Sequence, residues 1–77
     1  MRIKLSFVGF LDIDGVRSGD VIDAAEGSTV ADLLTAHGIK PHHQRFVIAA
    51  VNGEKKPAAC VLHDGDELLL LLPAGGG

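Results

Sequence analysis

Few residues in this chain have the types and spacings that chemistry requires. Cys60 and His63 stand three positions apart, and a thiolate beside an imidazole base is a pair that covalent catalysts use. No third, orienting group sits at a recognised spacing, and 77 residues leave little room for a cleft. The same two residues with His42 and His43 offer sulfur and nitrogen to zinc, but their spacing matches no zinc pattern. Cys60 therefore reads as a small core residue and the histidines as solvated loop residues. Asp64 and Asp66 could be paired carboxylates for acid–base work, although flanking Gly65 they are accounted for by a turn. Lys55 and Lys56, between Gly53 and Pro57, read as a solvated loop, open to conjugation as any exposed lysine is. No catalytic residue, metal site or bound cofactor is assigned.

The end of the chain is different in kind. Pro73-Ala74 is followed by Gly75, Gly76 and Gly77, and glycine loses more conformational freedom on ordering than any other residue. Residues 73–77 therefore read as a flexible tail on a domain spanning 1–72. From Ala74 to Gly77 such a tail reaches about 13 Å when extended. Its three glycines, without Cβ atoms, can thread a channel too narrow for branched residues. A plain disordered end is the alternative reading of the same glycines.

Composition narrows the classes further. Apolar residues make up 47 % of the chain and charged ones 22 %, the balance of a globular domain. The net charge is −3 and the seven Lys and Arg form no stripe for a phosphate backbone, which argues against nucleic acid. A single cysteine forms no internal disulfide and fits a reducing compartment. Ser6, Gly9, Asp12 and Asp14 interrupt the apolar N-terminal stretch, so it reads as mature structure and not as a signal peptide. The longest apolar run, Leu68 to Ala74, is far too short to span a bilayer. The expected setting is the cytoplasm.

The elements that must carry these residues follow from pattern. Ile3, Leu5 and Phe7 alternate with Lys4 and Ser6, the period of a strand with one buried face. After turn signals at Asp14-Gly15 and Ser18-Gly19, Val21 to Ala25 reads as the returning strand of a long-looped hairpin. Thr29 and Asp32 form a capping-box pattern ahead of Val30, Leu33 and Leu34, while Gly38 and Pro41 end the helix. Phe46 to Val51 reads as a strand running into the Asn52-Gly53 turn. Residues 54–63 read as irregular, with a short strand around Cys60 to Leu62, and Glu67 to Leu72 forms the last strand after the turn at 63–66. Strands grouped around one helix imply an α+β domain with the helix across one sheet face.

The last strand carries leucine at five successive positions, where a strand covered on one face should alternate with polar residues. One parity holds Leu68, Leu70 and Leu72, and the other Leu69 and Leu71. A single helix covers only one of these sets. The surplus leucines are therefore expected to form an exposed apolar patch of the kind that marks a partner surface. Cover by the 57–63 loop is the alternative.

Taken together, Thr29-Val30-x-Asp32-Leu33-Leu34, Ala50-Val51-Asn52-Gly53-Glu54, Leu62-x-Asp64-Gly65-Asp66-Glu67 and the terminal Gly76-Gly77 make the chain resemble the ThiS/MoaD family of ubiquitin-like sulfur carriers over nearly its whole length. The resemblance implies the β-grasp fold, a mixed sheet of four to five strands with one main helix across one face. It implies that Leu68 and Leu70 lie under the helix, with Val8 beside Leu69 and Leu71 in a partner-binding patch on the outer face. It further implies that Gly77 is the working end and that Gly75 and Gly76 thread the partner's active site.

In such carriers an E1-like adenylyltransferase of the ThiF/MoeB type uses ATP to adenylate the terminal carboxylate, which is then converted to a thiocarboxylate. The sulfur passes to a cofactor precursor on a synthase subunit of the MoaE or ThiG type. The resemblance thus makes the protein a substrate and carrier, not an enzyme, and the long first hairpin loop leans toward molybdopterin over thiamine biosynthesis. Transfer of the activated carboxylate to protein lysines, as in a ubiquitin-like modifier, is the alternative function. A bare interaction domain is a third.

Overall fold

The computed structural model describes residues 1–9, 13 and 15–72. The tail at 73–77, with Gly75, Gly76 and Gly77, lies outside the described residues. Alternation in the first strand is realised as β1, Arg2–Gly9, in which Ile3 and Leu5 are fully buried while Arg2, Lys4 and Val8 are exposed. β2, Asp20–Asp23, returns antiparallel to it.

The helix α1, Val30–Ala36, forms where its caps dictate. The Thr29 side chain accepts from the Asp32 backbone N–H at 3.1 Å, and the Asp32 carboxylate accepts from the Thr29 N–H at 3.0 Å. The next two N–H groups, of Val30 and Ala31, donate to the carbonyls of Cys60 and Ala58. Every donor that a helix start leaves without an intrahelical partner is thereby satisfied, two of them by the 58–60 segment. At the other end Gly38 sits at φ +84°, and Ile39 N–H reaches back to the Leu34 carbonyl. That bond, with Gly38 N–H on the Thr35 carbonyl, completes a Schellman motif.

Pro41 blocks continuation of α1 but opens a second, short helix α2, Pro41–Gln44, which the sequence reading lacked. Proline suits a first helical position because its missing N–H has no intrahelical partner there anyway. Gln44 ties α2 to α1, its side-chain amide donating to Thr35 Oγ1 and to the Ile39 carbonyl. Residues 45 and 46 complete the turn leaving α2, so the next strand, β3, begins at Ile48 and not at Phe46 and runs Ile48–Val51.

Asn52 and Gly53 both have positive φ, +52° and +85°, as both central residues of a type I′ turn require. Such a turn returns the chain at once. The segment after it is therefore a strand, β4, Glu54–Lys56, and Lys55 and Lys56 belong to this sheet edge and not to a loop. The short strand expected at Cys60 to Leu62 reduces to a single bridge between Val61 and Thr29. β5, Glu67–Leu72, has the expected bounds.

The sheet order is β2-β1-β5-β3-β4, with β1 and β5 parallel and the other pairs antiparallel. This is the β-grasp arrangement. α1 covers one face, and Ile3, Leu5, Ala49, Val51, Leu68 and Leu70 from the sheet meet Val30, Leu33 and Leu34 from the helix. Leu62 and Ile13 close the core from the connecting segments, a role for which neither was singled out. Both edge strands are short and carry charges on exposed positions, Asp20 and Asp23 on one side and Glu54, Lys55 and Lys56 on the other, which discourages edge-to-edge pairing. Among the described residues no helix is long and apolar enough to cross a membrane.

Candidate functional site

Strand parity sends one half of the sheet's side chains away from α1. On that outer face, register places Val8, Leu71 and Ile48 in one row across β1, β5 and β3. Ser6, Leu69, Ala50 and Lys55 form the next row, extending to β4. Leu68 and Leu70 are buried under the helix while Leu69 and Leu71 are only half-buried, so the two parities of the leucine run separate as expected. Val8 is 51 % exposed, so about half of the residue's surface is open to a partner.

A polarity gradient runs along this face. Its apolar row, Val8, Leu71 and Ile48, lies at the end of β5 that continues into residue 73, whereas Lys4 and Glu67 are register partners at the strand's other end. Between them, the small side chains of Ser6 and Ala50 on either side of Leu69 leave a shallow, open hollow, with Lys4, Glu67 and Gly53 on its rim. An apolar floor with a polar rim is the anatomy of a protein contact surface. The 58–62 segment runs beside the start of α1, with Leu62 N–H on the Ser28 carbonyl. Its apolar anchor, Leu62, is in the core, so this loop does not cover the outer leucines.

The entry to β5 is held by side chains. Asn52 Nδ2 donates to Asp66 Oδ1 at 2.9 Å, and Asn52 Oδ1 accepts from Glu67 N–H at 3.0 Å. Asp66 Oδ2 accepts from His63 N–H at 2.8 Å. The Asn52 amide first, and the His63 N–H second, hold the Asp66 carboxyl below the usual aspartate range. Asp64 Oδ1 accepts from Arg2 N–H at 2.7 Å. Both aspartates are thus consumed by the turn and pin it to β1 and to the Asn52-Gly53 turn after β3, which sets where the leucine strand starts.

Val8, Leu69 and Leu71, the residues expected to form the patch, come together on the outer face. Ile48 and Ala50 belong with them and were missed, although Ile48 to Val51 is apolar at every position just as Leu68 to Leu72 is. Cys60 is only partly buried at the edge of the core. His42 and His43 are exposed on α2, not in a loop. Among the described residues no three His, Cys, Asp or Glu side chains are grouped to hold a metal ion.

The model of the ThiS family matches residues 11–77. Among solved structures, the fold is similar to that of SAMP1 from Haloferax volcanii, with a TM-score of 0.71, 23 % identity and all of both chains covered. It is similar as well to a chain in the complex of subunits 1 and 2 of the molybdopterin-converting factor from Helicobacter pylori 26695, with a TM-score of 0.60, 23 % identity and all of both chains covered. No curated protein matches the sequence.

Proposed function

The chain belongs to the ThiS family, and from that premise we propose that it is a ubiquitin-like sulfur carrier whose Gly77 carboxylate is activated and then loaded with sulfur. The observation that carries this reading is that the family match runs through the glycine end to residue 77. An ionised α-carboxylate resists nucleophiles until it bears a leaving group. One of its oxygens attacks the α-phosphorus of ATP and pyrophosphate departs, leaving an acyl adenylate. A sulfide-level nucleophile then adds at the acyl carbon, AMP departs, and the thiocarboxylate remains.

The described part of the chain supplies recognition in this scheme, not catalysis. An E1-like enzyme docks on Val8, Leu69 and Leu71, which lie at the end of β5 from which the chain continues to Gly75, Gly76 and Gly77. The sulfur acceptor is a synthase subunit, and the similarity of fold to a component of the molybdopterin-converting factor complex supports such a partner. The ten residues between β1 and β2 support the molybdopterin-type acceptor over the thiamine-type one. Reaction in the cytoplasm places the carrier where ATP is available.

Incubation with ATP, an E1-like partner and sulfide, followed by intact-mass spectrometry, tests the reading. The expected product has one oxygen replaced by sulfur. An unchanged mass with a partner that activates its own carrier would end it, and covalent adducts on lysines in its place would transfer the chain to the modifier class. Supplying the loaded carrier to molybdopterin and thiamine precursor assays distinguishes the acceptors.

A further inference from the structure

The surface of the molecule carries a second feature that the outer sheet face does not explain. Between Leu33 and Gly53 the chain has no Asp or Glu, yet within it His37, Lys40, His42, His43 and Arg45 fall in nine consecutive positions. The whole chain has seven Lys and Arg against ten Asp and Glu. With Lys40 and Arg45 set apart, the five other cations face all ten acids, so the formal charge is +2 on this segment and −5 on the rest of the chain. Lys40, His42, His43 and Arg45 are exposed, and no acidic side chain among the described residues pairs with Lys40 or Arg45.

α2 is also an element that the core does not need. None of its residues is buried, and Gln44 holds it in place through hydrogen bonds to Thr35 and Ile39. Directly after it Phe46 is 41 % exposed, with the Arg45 guanidinium 4.9 Å from its ring centre. Aromatic residues and arginine are each enriched in protein contact surfaces, and here they stack directly after an element fixed by side-chain bonds.

We propose that α2 and Phe46 form a second docking surface, separate from the outer sheet face, for an acidic protein segment that places an apolar side chain on Phe46. Charge complementarity selects the occupant. Lys40 and Arg45 attract carboxylates, and the acidic remainder of the molecule repels a long polyanion that would track beyond them, so a short acidic peptide fits and a nucleic acid does not. The surface does not depend on sulfur chemistry and would serve the modifier class equally.

The test is a titration of the isotope-labelled full chain with a short synthetic peptide of glutamates flanking one leucine, followed by backbone amide NMR at low and at high salt. Shifts confined to residues 37–46, and an affinity that falls as salt rises, are expected. The double variant Lys40→Glu, Arg45→Glu should weaken binding by about tenfold or more, and Phe46→Ala should weaken it without changing the salt dependence. Melting of the charge-reversed variant should be unchanged, because Lys40 and Arg45 are exposed, and binding by both variants is compared at a temperature where each is fully folded, so that any loss is one of contact. Absence of shifts at low salt, shifts elsewhere, or full binding by the charge-reversed variant would overturn the proposal. So would a salt-sensitive dimer, lost in that variant, which would give the surface to a second copy, or equal binding of a short RNA.

Discussion

Val8 of β1 and Leu71 of β5 are register partners in the parallel pair at the centre of the sheet, side by side on the face that α1 leaves open. One residue earlier on each strand the geometry inverts. Leu70 pairs with Phe7 and is fully buried. A single step along β5 thus separates a side chain that holds the fold from one that faces outward.

That step gives the sharpest mutational contrast. Leu70→Ala leaves a cavity under α1 and should cost about 2–5 kcal/mol of folding stability in urea unfolding. Leu71→Asp keeps its new charge in contact with water and should cost far less. In a binding assay with the activating enzyme, however, it should weaken the complex, because the carboxylate must be desolvated against an apolar partner. Unfolding by Leu71→Asp with tolerance of Leu70→Ala would contradict the observed register.

Acid should expose the contribution of the Asn52–Asp66 contact. Hydrogen bonds from Asn52 and His63 depress the Asp66 pKa in the folded protein, so the unfolded chain binds the proton more tightly. The stabilisation is therefore complete above the unfolded value of about 3.9 and is lost as pH falls through the folded value. Urea unfolding of the parent protein and of Asp66→Ala should show a stability gap near pH 7 that narrows on acidification below about pH 4. A gap that widens in acid would rule out this role for Asp66.

Removal of the Thr29 hydroxyl tests the capping box. Thr29→Ala leaves the Asp32 N–H without its acceptor and should lower stability by about 1 kcal/mol, within a range of about 0.5–2. Thr29→Ser retains the acceptor and should lose much less. Thermal unfolding of the pair separates the hydrogen bond from the effects of side-chain bulk.

Deleting Gly76 and Gly77 should abolish sulfur loading and leave folding stability within about ±0.5 kcal/mol. The buried core among the described residues runs from Ile3 to Leu70, and the deletion touches none of it. A large fall in melting temperature would show that the glycine end is packed structure.

How much of this was legible in the sequence depended on how far apart the interacting residues lie. The caps of α1, the positive-φ turn at Asn52-Gly53, the turn at His63 to Asp66 and the bounds of β5 are encoded within a few residues, and short-range sterics and hydrogen bonding suffice to read them. The parity of Leu68 to Leu72 is likewise a local consequence of strand geometry. Even β4 was available in principle, because a turn with two positive-φ residues commits the following segment to pairing. Composition alone raised the question of the glycine end.

Parity, however, names no partner. That Leu71 lies between Val8 and Ile48 follows from pairing β5 with one strand more than fifty residues earlier and with another on its opposite side. Such contacts are chosen by the simultaneous burial of Ile3, Leu5, Ala49, Val51, Leu68 and Leu70 against α1, a condition that no window of sequence contains. The same condition drew Leu62 inward and left Phe46 outside. Tertiary packing decided which apolar residues were surplus to the core, because hydrophobicity is a property of a side chain and exposure is a property of its neighbours.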